Sequence, residues 1–476
     1  MERVHKIKCD FNRFYKENNS MSNIKSIIEL QRTYFNSGKT LEVDNRINNL
    51  KKLKSAIVNN EELILKALKQ DLGKSYAEGY MAEVGMVLDE LTFAIKRLKS
   101  WAKPKKVRTS MANIPSKNIL YREPYGVTLI VSPWNYPFQL TMAPLVGAIA
   151  GGNTAIIKPS RKSRYTTEAM TKLIEETFEP GFVKVVNLGA GSNEAMLKEK
   201  FDYIFFTGSV RVGKLVMEAA SKHLTEVTLE LGGKSPCIID EDTNMDITAK
   251  RLTWGKFLNV GQTCVAPDYV LVHESRKAEL IEGLKKYIKA FYGEDLKNSP
   301  DYGRIIDEGA FDRLVSYIDE DKVKIGGDFD RAQRYIAPTV MDNVDFNHRV
   351  MAEEIFGPIL PIITYSDLDQ VIEVINSRPK PLALYFFSNN RRNIDKIISR
   401  TSSGGVCIND TILHVASSNL TFGGVGESGM GQYHGVASFN TFTHEKSIVD
   451  KGFALDVPLR YPPFGNKLKI FKRIFK

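Results

Sequence analysis

From Gly126 onward the chain is written in short β-branched and aromatic runs, "GVTLIVSP", "NTAIIKPS", "FVKVVNL", "FDYIFFTGS" and "EVTLEL", and segments such as "TTEAMTKLIEETF" between several of them have helical composition. Continuous apolar runs of this length suit strands buried on both faces, and strand–helix–strand repetition builds a parallel sheet covered by helices. A second alternating series starts near Cys264 with "YVLVHE", continues through the helical stretch "KAELIEGLKKYIKAFYG", and reaches "YIAPTVM", "GPILPIITYS", "ALYFFS" and "GVCIND". The pattern predicts an α/β chain: a Rossmann-like doubly wound domain followed by a second α/β domain. At 476 residues the chain exceeds what one hydrophobic core organises, which fits two or three domains.

Upstream, from Arg46 to Ser100, apolar residues recur at helical spacing among Lys and Glu, as in "EELILKALKQ" and "LDELTFAIKRLKSW". The stretch "KPKKVRTSMANIPSKNILYREP" carries three prolines and reads as an extended arm. "SFNTFTHEKSIVD" reads as a late strand. No apolar run reaches the roughly 18 residues that span a bilayer, and "MERVHKIKCDFNRFYKENNS" has charge without the apolar centre of a signal peptide, so a cytoplasmic protein is expected. Four cysteines, Cys9, Cys237, Cys264 and Cys407, lie far apart without CxxC spacing, which argues against a disulfide framework or a zinc site. A net charge of +10, spread along the chain, does not call for a nucleic-acid partner.

Doubly wound sheets bind ligands at the carboxyl ends of their strands. Two segments qualify: "FFTGSVRVGKLVMEAA" places Gly208, Ser209 and Gly213 between a strand and a helix, and "AIIKPS" places Lys158 at a strand end. The spacing from Gly208 to Lys214 imitates a phosphate loop, but Leu215 stands where a Ser or Thr would ligate magnesium, so ATP chemistry is rejected. Cys264, in "NVGQTCVAPDYV", sits at a Gly-containing bend, as a reactive thiol would; Cys237 and Cys407 sit on strand-like runs and read as small buried residues. Glu230 ends a strand beside two glycines, Asn135 lies among prolines and aromatics in "SPWNYPF", and Glu354 precedes a Phe-Gly-Pro turn. Each is unremarkable alone.

Together, "SPWNYPF", "NTAIIKPS", "FFTGSVRVG", "LELGGKSP", "GQTCVAPDYV", "EEIFGPILP" and "FGGVGESGMGQYHG" resemble, in order and spacing over roughly residues 25 to 465, the aldehyde dehydrogenase superfamily. "DYGRII", "SGMGQYHG", "FTHEKSI" and "LRYPP" are most similar to its class three, the fatty and aromatic aldehyde dehydrogenases. The resemblance implies Cys264 as the nucleophile that forms a thiohemiacetal and then a thioester, Asn135 with the Cys264 N–H as oxyanion hole, and Glu230 as the base that activates water. It implies Glu354 at the nicotinamide ribose, Lys158 at the adenine ribose, Gly208, Ser209 and Gly213 beneath the cofactor, and Pro133 and Trp134 in the cofactor site, with no metal. Apolar medium- or long-chain aldehydes, or aromatic ones, are the implied substrates, and a homodimer the implied assembly.

Where most relatives carry a Glu for the ribose hydroxyls of NAD, this chain has Arg161, which suits a phosphate; NAD or NADP is expected as cofactor, with NADP tolerated or favoured. The resemblance also divides the chain: an extension over 1–20, a cofactor domain over 21–102 and 126–230, a small β oligomerisation arm over 103–125 and 431–451, a catalytic domain over 231–430, and a basic amphipathic tail over 452–476. For that tail two readings stand, contact with an anionic membrane surface or packing on the partner subunit or over the substrate funnel, and the second is preferred. Three other functions compete with aldehyde oxidation to the acid. A CoA-acylating relative has no use for Glu230, a silent binding protein of the same fold would be expected to lose the thiol or the base, and a cysteine hydrolase would need a histidine partner for Cys264 that the sequence does not reveal.

Overall fold

The computed structural model describes residues 24–110, 113–187 and 192–474. The extension over 1–20, with Cys9, and the last two residues of the tail lie outside them. Helices Val43–Asn59, Glu61–Leu72 and Gly85–Trp101 bury one face each, through Leu50, Leu53 and Ile57, through Ile64 and Leu68, and through Leu91, Ala94 and Leu98. Gly73 closes the second helix in the left-handed conformation (φ 72°).

Six strands form the first sheet, in the order Gly429–Met430, Glu226–Glu230, Tyr203–Thr207, Val127–Val131, Thr154–Lys158, Val183–Val185. The last five are parallel, and Gly429–Met430 returns antiparallel against Glu226–Glu230. Chain order reverses between Val127–Val131 and Tyr203–Thr207, so a crevice opens at their carboxyl ends. The helix Gln139–Gly151 that leaves this crevice is buried at all 13 positions, as expected of a helix apolar on every side.

Seven strands form the second sheet, in the order Val323–Ile325, Thr339–Met341, Ile359–Tyr365, Tyr269–His273, Pro236–Ile239, Ala383–Phe387, Gly405–Ile408. All pairs but the first are parallel. Apolar residues of both sheets, among them Ile130, Phe205, Cys237, Val270 and Tyr385, join one core. A third, antiparallel sheet sets Lys117–Pro124 between Lys105–Val107 and Thr443–Asp450. The late strand is therefore present, but it fills only the second half of the segment read as strand. The start of that segment, residues 438–441, belongs to the helix Val436–Thr441, whose Ala437, Ser438 and Phe439 are buried. The tail forms a short helix, Leu468–Ile474, with no buried residue.

Candidate active site

Cys264, Glu230, Asn135, Glu354, Gly208, Ser209, Pro133 and Trp134 all line one cavity of about 530 Å³ at the crevice of the first sheet. Lys158, Arg161 and Gly213 are outside its lining. Among the described residues no group of three or more His, Cys, Asp or Glu side chains could hold a metal ion.

The thiol is presented by a backbone that few sequences adopt. Asn259, Val260 and Gly261 are consecutive left-handed residues (φ 51°, 56° and 72°), and such a conformation at a non-glycine residue costs about 1–3 kcal/mol. At Gly261 a Cβ would lie 2.3 Å from the carbonyl oxygen of Gly357, so no side chain fits. Gln262 holds the bend from inside: its Nε2 donates to the carbonyls of Asn259 (3.1 Å) and Arg304 (3.0 Å), and its Oε1 accepts the Ile306 N–H (3.0 Å). The carbonyl of Val265 accepts the Tyr385 hydroxyl at 2.5 Å. Cys264 keeps part of its surface open to the cavity, while burial first, and then the carboxyls of Glu354 and Glu230, push the thiol up to about 12; its own N–H and that of Val265 act the other way. Iodoacetamide alkylation of Cys264 in the cofactor-free protein should therefore accelerate about tenfold per pH unit from neutral into the alkaline range. Peptide mass mapping checks this, and a rate that levels off near neutral pH contradicts it.

Asn135 is buried and follows the strand Val127–Val131. One N–H of its amide donates to the Gln262 carbonyl (3.0 Å), which leaves the second for another acceptor. Glu230 is 2 % exposed, and both its carboxyl oxygens lack a hydrogen-bond partner; burial raises its pKa well above the usual carboxyl value. A buried, unpartnered carboxyl facing a cavity is the type of group that acts on a proton there. Glu354 lies over Gly232, where a Cβ would meet its Oε2 at 2.1 Å, and burial raises its pKa to about 8.

The chemistry of the crevice suits a dinucleotide. Ser209 occupies the N-cap of helix Val210–Ser221 without capping it by its side chain, so first-turn N–H groups remain for an anion. Gly213 lets that helix approach the strand end, since a Cβ there would sit 2.6 Å from Leu231 Cδ2, and Gly208 is as closely covered by the Phe206 ring. Lys158 ends its strand buried, with Nζ donating to the Pro159 carbonyl at 3.1 Å; burial, then the neighbouring Arg161 charge, lower its pKa to about 8. Arg161 is exposed beside it.

Residues 15–448 match the model of the aldehyde dehydrogenase family. The chain belongs to that family. Among its relatives, 4,4'-diaponeurosporen-aldehyde dehydrogenase of Staphylococcus aureus is 48% identical over 447 residues, 94% of this chain and 97% of the other. The mouse protein named "Aldehyde dehydrogenase, dimeric NADP-preferring" is 48% identical over 450 residues, 94% of this chain and 99% of the other. A solved structure of the S. aureus aldehyde dehydrogenase AldH in a substrate-bound state superposes with a TM-score of 0.94 at 47% identity, covering 95% of this chain and 99% of that one. The protein is thus an NAD(P)-dependent aldehyde dehydrogenase, similar to class three, and an aldehyde is its substrate. Among the described residues no helix of this dehydrogenase is long and apolar enough to cross a membrane.

Several residues that shape the site carry little signal in the sequence. Lys74, Glu83, Asn259 and Gln262 fix the loops that carry Asn135 and Cys264, and Thr207, with a buried unpartnered hydroxyl, and Tyr433 line the cavity. Gln262 stands inside the quoted "GQTC" and could have been found by asking what holds a glycine bend. Lys74 and Glu83 carry no local signal.

Proposed function

We propose that this dehydrogenase oxidises apolar medium- or long-chain, or aromatic, aldehydes to acids, with Cys264 as nucleophile, Asn135 as oxyanion donor and Glu230 as hydrolytic base. The observation that carries the assignment is the convergence of these three side chains on one cavity, with the Glu230 carboxyl free of other partners. The Cys264 thiol gives its proton to water in the open cavity and its sulfur adds to the aldehyde carbonyl, and the alkoxide of the thiohemiacetal accepts hydrogen bonds from Asn135 Nδ2 and the Cys264 N–H. The nicotinamide cofactor, when bound, supplies the hydride acceptor that converts the thiohemiacetal to a thioester. Glu230 then takes a proton from water as it attacks the thioester, and collapse of the tetrahedral species expels the Cys264 thiolate and the acid. Water as acceptor explains why a buried carboxyl is kept here, which a CoA-acylating enzyme would not need.

In this reading the helix turn after Ser209 faces the pyrophosphate, Lys158 the adenine ribose and Glu354 the nicotinamide ribose. Arg161 pairs with the 2′-phosphate of NADP, the cofactor preference that the name of the mouse relative carries. The domain division given above is part of the same proposal. So is a homodimer, supported by the solvent-facing edge strand Thr443–Asp450, a ladder open to a second chain, with the exposed Leu468 and Ile470 of the tail covered by that partner rather than by a membrane. A panel of aldehydes of increasing chain length, run with NAD and with NADP, tests the substrate and cofactor assignments together. The expected result is kcat/KM rising with apolar length, and an Arg161→Glu variant whose NADP-to-NAD ratio falls by about tenfold or more, the loss of one charge-assisted phosphate contact. A ratio unmoved by the substitution removes Arg161 from cofactor choice.

A further inference from the structure

Lys74 and Glu83 form an ion pair (2.5 Å) in which the lysine side chain is 1% exposed and the glutamate 0%. A buried pair of this kind contributes little stability beyond what apolar residues of the same volume would give, so what it adds to this fold is geometry. Its hydrogen bonds show which geometry. Lys74 Nζ donates to the backbone carbonyl of Asn135 (2.9 Å), which also accepts Asn259 Nδ2 (2.9 Å). Glu83 Oε2 accepts the N–H groups of Phe138 (2.8 Å) and Gln139 (3.3 Å). The pair thus grips both ends of the turn 135–138, Lys74 at its first residue and Glu83 where the buried helix Gln139–Gly151 begins. Glu83 reaches that position from a five-residue π-helical turn, Tyr80–Val84, a local irregularity that is frequent at functional sites. The Lys74 ammonium also lies 4.0 Å over the ring of Tyr136, whose hydroxyl is 2.7 Å from Thr263 Oγ1, next to Cys264.

We infer that Lys74 and Glu83 are positioning residues that hold the Asn135 amide in register with the Cys264 thiol. The inference rests on the assignment of Asn135 as oxyanion donor. With its carbonyl saturated by two donors and one amide N–H tied to Gln262, Asn135 can offer its remaining N–H in a single direction. Removing the grip on the turn costs that direction while leaving Lys158 and the turn after Ser209, which sit on other strand ends, in place.

A single substitution strands one buried charge and can unfold the chain, so the informative variant is Lys74→Met/Glu83→Leu, which removes both charges at nearly constant volume. Its kcat should fall about 100-fold, the scale of a small misplacement of a reacting group, while the dissociation constant for NADP, read by protein fluorescence, stays within about twofold. Asn135→Ala is then compared in the wild-type and double-variant backgrounds, and the further loss should be much smaller in the second, since the donor there is already misaligned. A double variant with kcat within about threefold of wild type, or an Asn135→Ala factor equal in both backgrounds, overturns the inference. If Asn135→Ala in the wild-type background keeps full kcat, the oxyanion assignment itself fails, a distinct result.

Discussion

Cys264→Ala abolishes aldehyde oxidation, by on the order of 10⁴–10⁶-fold in kcat, while cofactor affinity stays near that of the parent enzyme. The size of the loss follows from the absence, among the described residues, of a second thiol in the cavity. Cys237 and Cys407 are buried on strands of the second sheet, and burial raises both thiols, that of Cys407 to about 11; Cys407 is also in contact with His414 Nδ1 at 3.1 Å. Neither lines the cavity that holds Asn135 and Glu230. Cofactor binding survives because the groups assigned to it, Lys158, the turn after Ser209 and Glu354, do not depend on the sulfur. Burial first, and then Glu354 and Glu230, keep this thiol neutral near pH 7, and it is partly open to the cavity, so alanine in its place strands no charge and the fold is not expected to weaken. Reduced-nicotinamide absorbance measures the turnover and fluorescence titration the affinity. Turnover within about tenfold of the parent would mean that another group forms the covalent bond.

The parallel strands were legible because burial on both faces leaves unbroken apolar runs: "VTLIV", "TAIIK" and "YIFFT" are the strands Val127–Val131, Thr154–Lys158 and Tyr203–Thr207. Gly429–Met430 was not, since two residues, one a glycine, carry no period. The helix Val436–Thr441 was masked by its composition, "VASFNT", in which tertiary packing of Phe439 outweighs weak helix propensity. For the site, residues in short motifs such as Cys264, Glu230 and Asn135 could be named from their neighbours. Lys74 and Glu83 could not, because "KSYAEGYMAEVG" reads as an ordinary solvated helix face. Only the approach of the 135–138 turn, more than fifty residues later, turns those two charges inward. Long-range contacts of this kind leave no trace in spacing.

Glu230→Gln should stop the enzyme after its first chemical step. The substitution keeps shape and removes only the capacity to accept a proton, so the aldehyde still adds to Cys264 and the first equivalent of reduced nicotinamide still forms. Deacylation then slows by about 10²–10⁴-fold, the usual contribution of a positioned base. The expected trace is a burst near one equivalent per site followed by a slow phase, with the intact chain heavier by the acyl group in mass spectrometry. The pH dependence has a definite sign. Burial raises the Glu230 pKa well above the ordinary carboxyl value, so the base form is the minor one at low pH. Where deacylation limits turnover, kcat of the parent enzyme therefore rises as pH increases toward that pKa, and the variant loses this rise. A variant that shows no burst, or that retains the parent's pH profile, would assign the proton transfer to another group. Of the other acidic residues of the cavity, Glu353 is held by Tyr317 and Arg313, and Glu354 packs against Gly232, whereas the two oxygens of Glu230 are uncommitted. The burst and the pH profile together therefore discriminate between carboxyls that share one cavity and differ in what already holds them.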